Sequence, residues 1–427
     1  MRRSIPAVLL SIAPLFAQQS GSLSSDDHQL VLQLLQRVNE LEAEVRRLKG
    51  QAPAAIVPAA PPVQTAQAPA QAGAPVTPPN PGATPDTQMG GMHDMALPFI
   101  PGLQFRGFSD VGFADSDQRG AHSTFSTGAF NMFMTSRLSD KFSVLAELIF
   151  EFDPTNAVHT DLERMEFHYN PSDFLNLTAG RFHTSIGYYN TAYHHASWLY
   201  NTVNRPFLFA FEDQGGILPT HNVGLSATGA IPSGALGLHY IAEIGNGRTS
   251  HSVLDAVAEP VQVAQDENSR KSVNFAAFSR PAAIPGFQTG FSIYADRLYP
   301  TGGPKIAETI WDGYVTYHPS GFEFTGETVM LRHALEGTNI IYHIPGFYAT
   351  LAKNIGGGVR PYFSWEYLNV AHNEPLWGTA IGMRHGPSTG IRYDFSDFAA
   401  FKLEYYRLFR RGQNDVNGIR SQLTFTF

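Results

Sequence analysis

Apolar and polar residues trade places along most of this chain. In the stretch 418–427, Ile419, Leu423, Phe425 and Phe427 interleave with Arg420, Gln422, Thr424 and Thr426. A period of two sorts side chains onto the two faces of a strand. A bare edge strand of this kind invites aggregation in water. It is safe in a soluble sandwich core, or in a closed barrel in lipid where it pairs with the first strand.

From Leu103 onward the alternation recurs between turn residues. It predicts strands near 103–113, 125–137, 141–152, 161–170, 174–184, 221–230, 235–245, 272–280, 287–298, 307–318, 322–332, 340–353, 358–370, 388–395, 399–410 and 418–427, sixteen in all. Short turns are expected at 138–141, 171–173, 231–234, 281–286, 319–321, 354–357 and 396–398. Longer loops fall near 114–124, 153–160, 185–220, 246–271, 299–306, 333–339, 371–387 and 411–417. Short connections on one side and long ones on the other is the layout of an all-β transmembrane antiparallel barrel. Pro345, Pro361 and Pro387 interrupt the pattern around the strands near 340 and 388.

The faces can be assigned. Phe142, Val144, Ala146, Leu148, Phe150 and Phe152 form an apolar face suited to lipid, with Lys141, Ser143, Glu147 and Glu151 opposite. Leu236, Leu238, Tyr240, Ala242 and Ile244 face out, with His239 and Glu243 in. Phe401, Leu403 and Tyr405 face out, with Lys402, Glu404 and Tyr406 in. A charge costs about 2–4 kcal/mol at the lipid midplane, so charges belong inside. A barrel of this width is too large for its own wall to fill, so its lumen is expected to hold water. The inward acids are Asp110, Glu147, Glu151, Glu166, Glu243, Asp296, Asp312, Glu323, Glu327, Glu366, Asp394 and Glu404. The inward bases are Arg106, Lys141, Arg164, Arg360, Arg392 and Lys402, which leaves a lumen of net negative sign.

The segments before the barrel, which is expected over 98–427, differ in kind. Residues 1–17, with Arg2 and Arg3 ahead of an apolar run to Phe16, read as a secretory signal peptide. Over 26–49, capped by Asp26 and Asp27, Val31, Leu34, Val38, Leu41, Val45 and Leu48 mark the a/d seam of a short coiled coil. Residues 50–97 are Pro/Ala-rich and read as a disordered linker. Its end holds Met89, Met92, His93 and Met95, a compositional hint of soft metal binding that falls short of a site.

Composition narrows the class. Only 15% of residues are charged while 12% are aromatic, the reverse of a water-solvated domain. The formal charge is -8 with no basic tract, so no nucleic-acid partner is expected. The absence of cysteine removes disulfides, thiolate metal sites and thiol nucleophiles.

The signal-like start, the sixteen strands, the eight long loops and the final Phe427 together resemble the trimeric porins of Gram-negative outer membranes. The short coiled coil ahead of a Pro/Ala linker is similar to the phosphate-selective porin group and to porins with periplasmic coiled-coil extensions. The resemblance implies an outer-membrane location with the N-terminal segment in the periplasm. It also implies a homotrimer, contact with outer-membrane lipid, passage of small hydrophilic solutes or ions, and recognition of Phe427 by the barrel assembly machinery. The basic ladder of phosphate-selective porins has no counterpart here, so that specificity is not implied.

Residues 185–220 form the longest loop. Tyr188, Tyr189, Tyr193, Trp198, Tyr200, Phe207, Phe209 and Phe211 demand a packing surface. In porins the third loop enters and narrows the lumen, and this loop resembles it. Glu212 and Asp213 would then form the acidic side of a pore constriction. Arg205, His194 and His195 share the loop, and Arg106, Arg164, Arg360 and Arg392 are candidates for the basic side. Such a pore is expected to favour cations or small neutral solutes over anions. His194 and His195 with Glu212 and Asp213 lack ligand spacing, so neither a metal site nor a cofactor is expected. Ser197 near His194 matches no catalytic motif, and the chain is not expected to be an enzyme. The alternative function is a structural tether, with the barrel as anchor and the coiled coil reaching the periplasm or peptidoglycan.

Overall fold

Strands that are half apolar and half polar have two solvents to satisfy, and a closed sheet gives each face its own. The computed structural model describes residues 102–427, apart from 153–156, 212–214, 251–265, 267, 301 and 379. The signal segment 1–17, the coiled coil 26–49, the linker 50–97 with His93, and Glu212 and Asp213 lie outside the described residues.

Sixteen strands form among the described residues. They are β1 (Leu103–Ser116), β2 (Thr124–Arg137), β3 (Phe142–Phe152), β4 (Val158–Ser172), β5 (Leu175–His183), β6 (His221–Ile231), β7 (Leu238–Gly245) and β8 (Ser272–Ser279). They continue with β9 (Phe287–Leu298), β10 (Ile306–Tyr317), β11 (Phe322–Leu335), β12 (Ile341–Lys353), β13 (Val359–Asn369), β14 (Met383–Ser396), β15 (Ala399–Arg410) and β16 (Val416–Thr426). Each pairs antiparallel with the next, and β1 pairs with β16, so the barrel is closed. Closure leaves no unpaired edge, which hydrocarbon would not tolerate.

The seam between first and last strands is tight. Gly107 N donates to Phe427 O at 2.9 Å, and Phe427 N donates to Gly107 O at 3.1 Å. The Phe427 ring stacks on Phe130 with centroids 5.3 Å apart. A Cβ on Gly107 would lie 2.4 Å from both Asn131 O and the Phe427 ring, so this position has no room for a side chain.

The expected faces hold. On β3, Leu145, Glu147 and Ile149 are buried while Phe142 and Phe152 are exposed. On β15, Lys402 and Glu404 are buried while Phe401, Leu403 and Tyr405 are exposed. Phe291, Ile293, Trp311, Phe347, Leu351 and Phe363 continue this outer apolar band. A water-facing surface would not carry so much apolar area around its whole girth.

Several strand limits differ from the sequence expectation. β14 starts at Met383 rather than near 388, β4 starts at Val158 rather than near 161, and β11 runs on to Leu335. Residues 234–236 form a 3-10 turn rather than the start of β7. The prolines are tolerated because each sits where one ladder lapses. Pairing of β12 with β13 begins at Gly346, just past Pro345, and ends at Tyr362, just past Pro361. The β14–β15 ladder skips from His385 to Ser388 around Pro387. A missing N–H costs nothing where no partner waits for it.

Candidate functional site

Residues 184–220 join β5 to β6, and those of them that are described fold against the inner wall. Aromatic content drives this. Tyr188, Tyr189, Tyr193, Leu208, Phe209, Ile217 and Leu218 are buried with inward residues such as Tyr294, Ile310, Val329, Ile344, Tyr348 and Leu368. The expected uniformly polar lining is therefore not found along β7–β13. The inward faces there mix acids with large apolar side chains, and the loop covers both. Gly187 opens the short helix Gly187–Ala192 at φ 73°, and a Cβ there would lie 2.8 Å from Glu327 Oε2.

Burying a loop leaves backbone N–H groups in need of acceptors, and inward glutamates supply them. Ser185 N and Oγ donate to Glu243 of β7, the hydroxyl at 2.7 Å. Tyr189 N donates to Glu327 of β11 at 2.5 Å, and Phe207 N to Glu366 of β13 at 2.6 Å. Val203 N donates to Glu404 of β15 at 3.3 Å, and Asn201 Nδ2 to Glu323 of β11 at 2.6 Å. Much of the acidic excess read from sequence thus holds the loop in place.

Bases do the converse job for loop carbonyls. Lys402 Nζ donates to Ser197 O at 2.6 Å and Thr202 O at 2.9 Å, beneath the Tyr200 ring. Arg392 Nη1 donates to Trp198 O at 2.6 Å and Tyr200 O at 3.0 Å, and its Nε to Asp394 at 2.8 Å. Lys402 is the fourth residue of β15 from its short-turn end, so the loop descends most of the wall. Burial pushes the hydroxyls of Tyr188 and Tyr200 up to about 12, so these phenols stay neutral.

The expected basic residues divide. Arg392 touches the loop, and Arg360 reaches it through shared partners, bonding Glu323 at 3.3 Å and Asp394 at 3.2 Å. Arg164 instead pairs with Glu147 and lies 3.9 Å from Glu166, both on the wall. Arg106 is exposed near the short-turn end of β1, and Lys141 sits in the turn before β3, so neither belongs to the basic side of a constriction at the loop. Within the loop, the Arg205 guanidinium stacks 3.4 Å over the Phe211 ring.

His194 and His195 join a cluster that alternation conceals. Arg164 pairs with Glu147 and Leu162 with Leu148, which leaves Glu163 as the extra residue of a β-bulge. The bulge turns Glu163 and Arg164 to the same side, which strict alternation forbids. Glu163 is buried beside His221 in direct contact, with His195 Nε2 at 3.2 Å and His194 Nε2 at 3.7 Å. His194 itself takes φ 33°, a left-handed conformation uncommon outside glycine. Sequence reading also missed Glu308, buried between Arg248 and His333 with Glu374 beyond, and Arg420 against Glu404. Glu308 and Arg420 both lie on inward positions by alternation, so counting faces could have found them.

No protein family matches the sequence, and neither does any curated protein. Solved structures with the same architecture do. An anion-selective porin from Comamonas acidovorans is 10% identical with TM-score 0.56, covering 77% of this chain and 100% of its own. The outer membrane channel DcaP of Acinetobacter baumannii is 9% identical with TM-score 0.53, covering 77% and 97%. OmpT of Vibrio cholerae, in its trimer form, is 9% identical with TM-score 0.50, covering 77% and 99%. At such identities the likeness concerns the fold: this chain carries the closed sixteen-stranded barrel found in outer-membrane porins and channels.

Proposed function

We propose that the protein is an outer-membrane porin, a channel for passive diffusion of small hydrophilic solutes, narrowed by the loop 184–220. The observation that carries this reading is the loop itself. It lies inside a closed barrel and is held by side chains of β7, β11, β13, β14 and β15. A barrel built only as an anchor has no use for an inner loop so firmly seated. Loop backbone, Arg392 and the Arg360–Glu323 pair would set the width and the charge of the path, with Glu212 and Asp213 on its acidic side. Charges at a narrow, low-dielectric passage bias entry far more than charges at a mouth. Cations and small neutral solutes are therefore expected to pass in preference to anions.

Assembly follows the same reading. A heptad seam over 26–49 set ahead of a porin-like barrel is read as a homotrimer, with its coiled coil in the periplasm, joined by the linker 50–97 to barrels set in lipid. Phe427 would serve as the mark read by the barrel assembly machinery. The coiled coil links the protein to the phosphate-selective porin group by architecture, without that group's basic ladder.

Planar-bilayer recording tests the proposal. Purified trimer should give discrete conductance steps, with a reversal potential across a salt gradient on the cation side. Glu212→Gln combined with Asp213→Asn should move it toward zero. Silent bilayers from correctly folded protein would reject the channel, and chloride preference would reject the acidic filter.

A further inference from the structure

The cluster beneath the loop has the chemistry of a metal site. Glu163 from the bulge of β4, His183 from the end of β5, His194 from the loop and His221 from the start of β6 each offer one ligand atom, all within 4.8 Å of one another. His183 and His221 are opposite one another in the β5–β6 ladder. His194 Nε2 and His221 Nε2 stand 3.0 Å apart. Two nitrogens on a tetrahedral zinc, at about 2.0–2.1 Å each, lie roughly 3.3 Å apart.

The supporting hydrogen bonds fix which atoms point inward. Asn190 Nδ2 donates to Thr184 O at 2.8 Å and Thr220 O at 2.9 Å, so its Oδ1 is the atom turned to His194. That oxygen lies 2.9 Å from His194 Nδ1 and accepts its proton. A neutral His194 then carries a lone pair on Nε2, aimed at His221 Nε2 and Glu163. His221 Nδ1 lies 3.2 Å from Thr220 Oγ1, a partner that can hold its proton in the same way. A second set of groups that orients imidazoles and selects their tautomer is the usual support of a metal-ligating histidine. Without a cation, the lone pairs of His194 Nε2 and the Glu163 carboxylate compete for one proton on His221 Nε2. A divalent ion at that point accepts all three.

We propose that Glu163, His194 and His221 bind a divalent transition-metal ion of the zinc class. His183 is stacked face to face on His194, with centroids 3.4 Å apart and planes 22° from parallel. Its ligand nitrogen lies within 4.8 Å of the ligand atoms of the other three and can take the fourth position. His195 Nε2, 3.2 Å from Glu163 Oε2, stands beside the group. Two imidazoles, one carboxylate and no thiolate suit Zn2+, Co2+, Ni2+ or Cu2+ rather than Ca2+ or Mg2+. The ion would tie the bulge of β4 and the first residue of β6 to the loop.

The full chain, folded in detergent, is loaded with Co2+ or Zn2+ and desalted. Wild-type protein should retain a single ion per barrel, with the intense visible absorption of Co2+ in a low-symmetry nitrogen and oxygen site. Glu163→Gln, His194→Gln and His221→Gln should each lose that ion while keeping the heat-modifiable gel mobility of a folded barrel. Zinc-edge X-ray absorption of the wild type needs no variant and should show scattering from two or more imidazoles. Retention of the ion by all three variants would place it elsewhere, for instance at His93, and overturn the assignment. So would wild-type protein that binds nothing, or a zinc shell without imidazole.

Discussion

Lys402 Nζ donates to the carbonyl of Ser197, which is 205 positions earlier, at 2.6 Å. The same ammonium reaches Thr202 O, and the side chain is fully buried. It is therefore a strut between wall and loop rather than a charge facing an open pore. Replacing it with Met keeps the stem but strands two buried carbonyls. Hydrogen bonds to charged groups contribute roughly 1.5–3 kcal/mol, and Lys402→Met should lower barrel stability by that order in a denaturant titration from vesicles. Open-channel noise should rise. A variant as stable and as quiet as wild type would contradict the role.

Gly187 tests the loop from its other end. Its φ of 73° penalises any L side chain by about 1–2 kcal/mol, and the Cβ would press on the Glu327 and Asp312 carboxylates. Gly187→Ala should displace the start of the helix Gly187–Ala192, weaken the Tyr189–Glu327 bond and change single-channel conductance. The barrel should still form, since strand pairing does not involve this residue. Unchanged conductance would show that the segment does not set the path.

Leu403 tests the outer surface. It is exposed on β15 between inward Lys402 and Glu404. An arginine there would face hydrocarbon, so Leu403→Arg should cost about 2–4 kcal/mol if the position lies near the midplane. Stability after refolding into lipid vesicles is the measurement, and a neutral result would mean that this face does not meet lipid.

Gly107 tests the seam. Any side chain must displace the Asn131 carbonyl or the Phe427 ring. Gly107→Val should therefore reduce the yield of closed, heat-modifiable barrel in refolding, with β1–β16 pairing the step that fails. Normal yield would argue that the seam tolerates looser packing than its contacts indicate.

The wall was legible in sequence because burial and charge share the strand period. Every strand of the barrel has a counterpart in the alternation, and the faces of β3, β7 and β15 follow directly from it. The loop was legible because aromatics such as Tyr189 and Phe209 need a surface to pack on. Glu163 was not legible, since face counting assumes one residue opposite one and a bulge breaks that count. The histidine cluster draws on residues from 163 to 221 that meet only once β4, β5, β6 and the loop are assembled. The purpose of the acids was hidden for another reason: an inward glutamate reads the same whether it meets water or the N–H of Tyr189.

Glu243 belongs to β7 and Glu404 to β15, eight places apart in a ring of sixteen strands. Their strands stand on opposite sides of the ring, and one loop is bonded to both. A hollow cylinder yields most easily by flattening into an ellipse, and lateral pressure in a bilayer pushes in that direction. A chord fixed across the bore resists that deformation. The segment bonded to both walls thereby helps keep the cylinder round, so thermal breathing of the wall is damped where the loop is anchored.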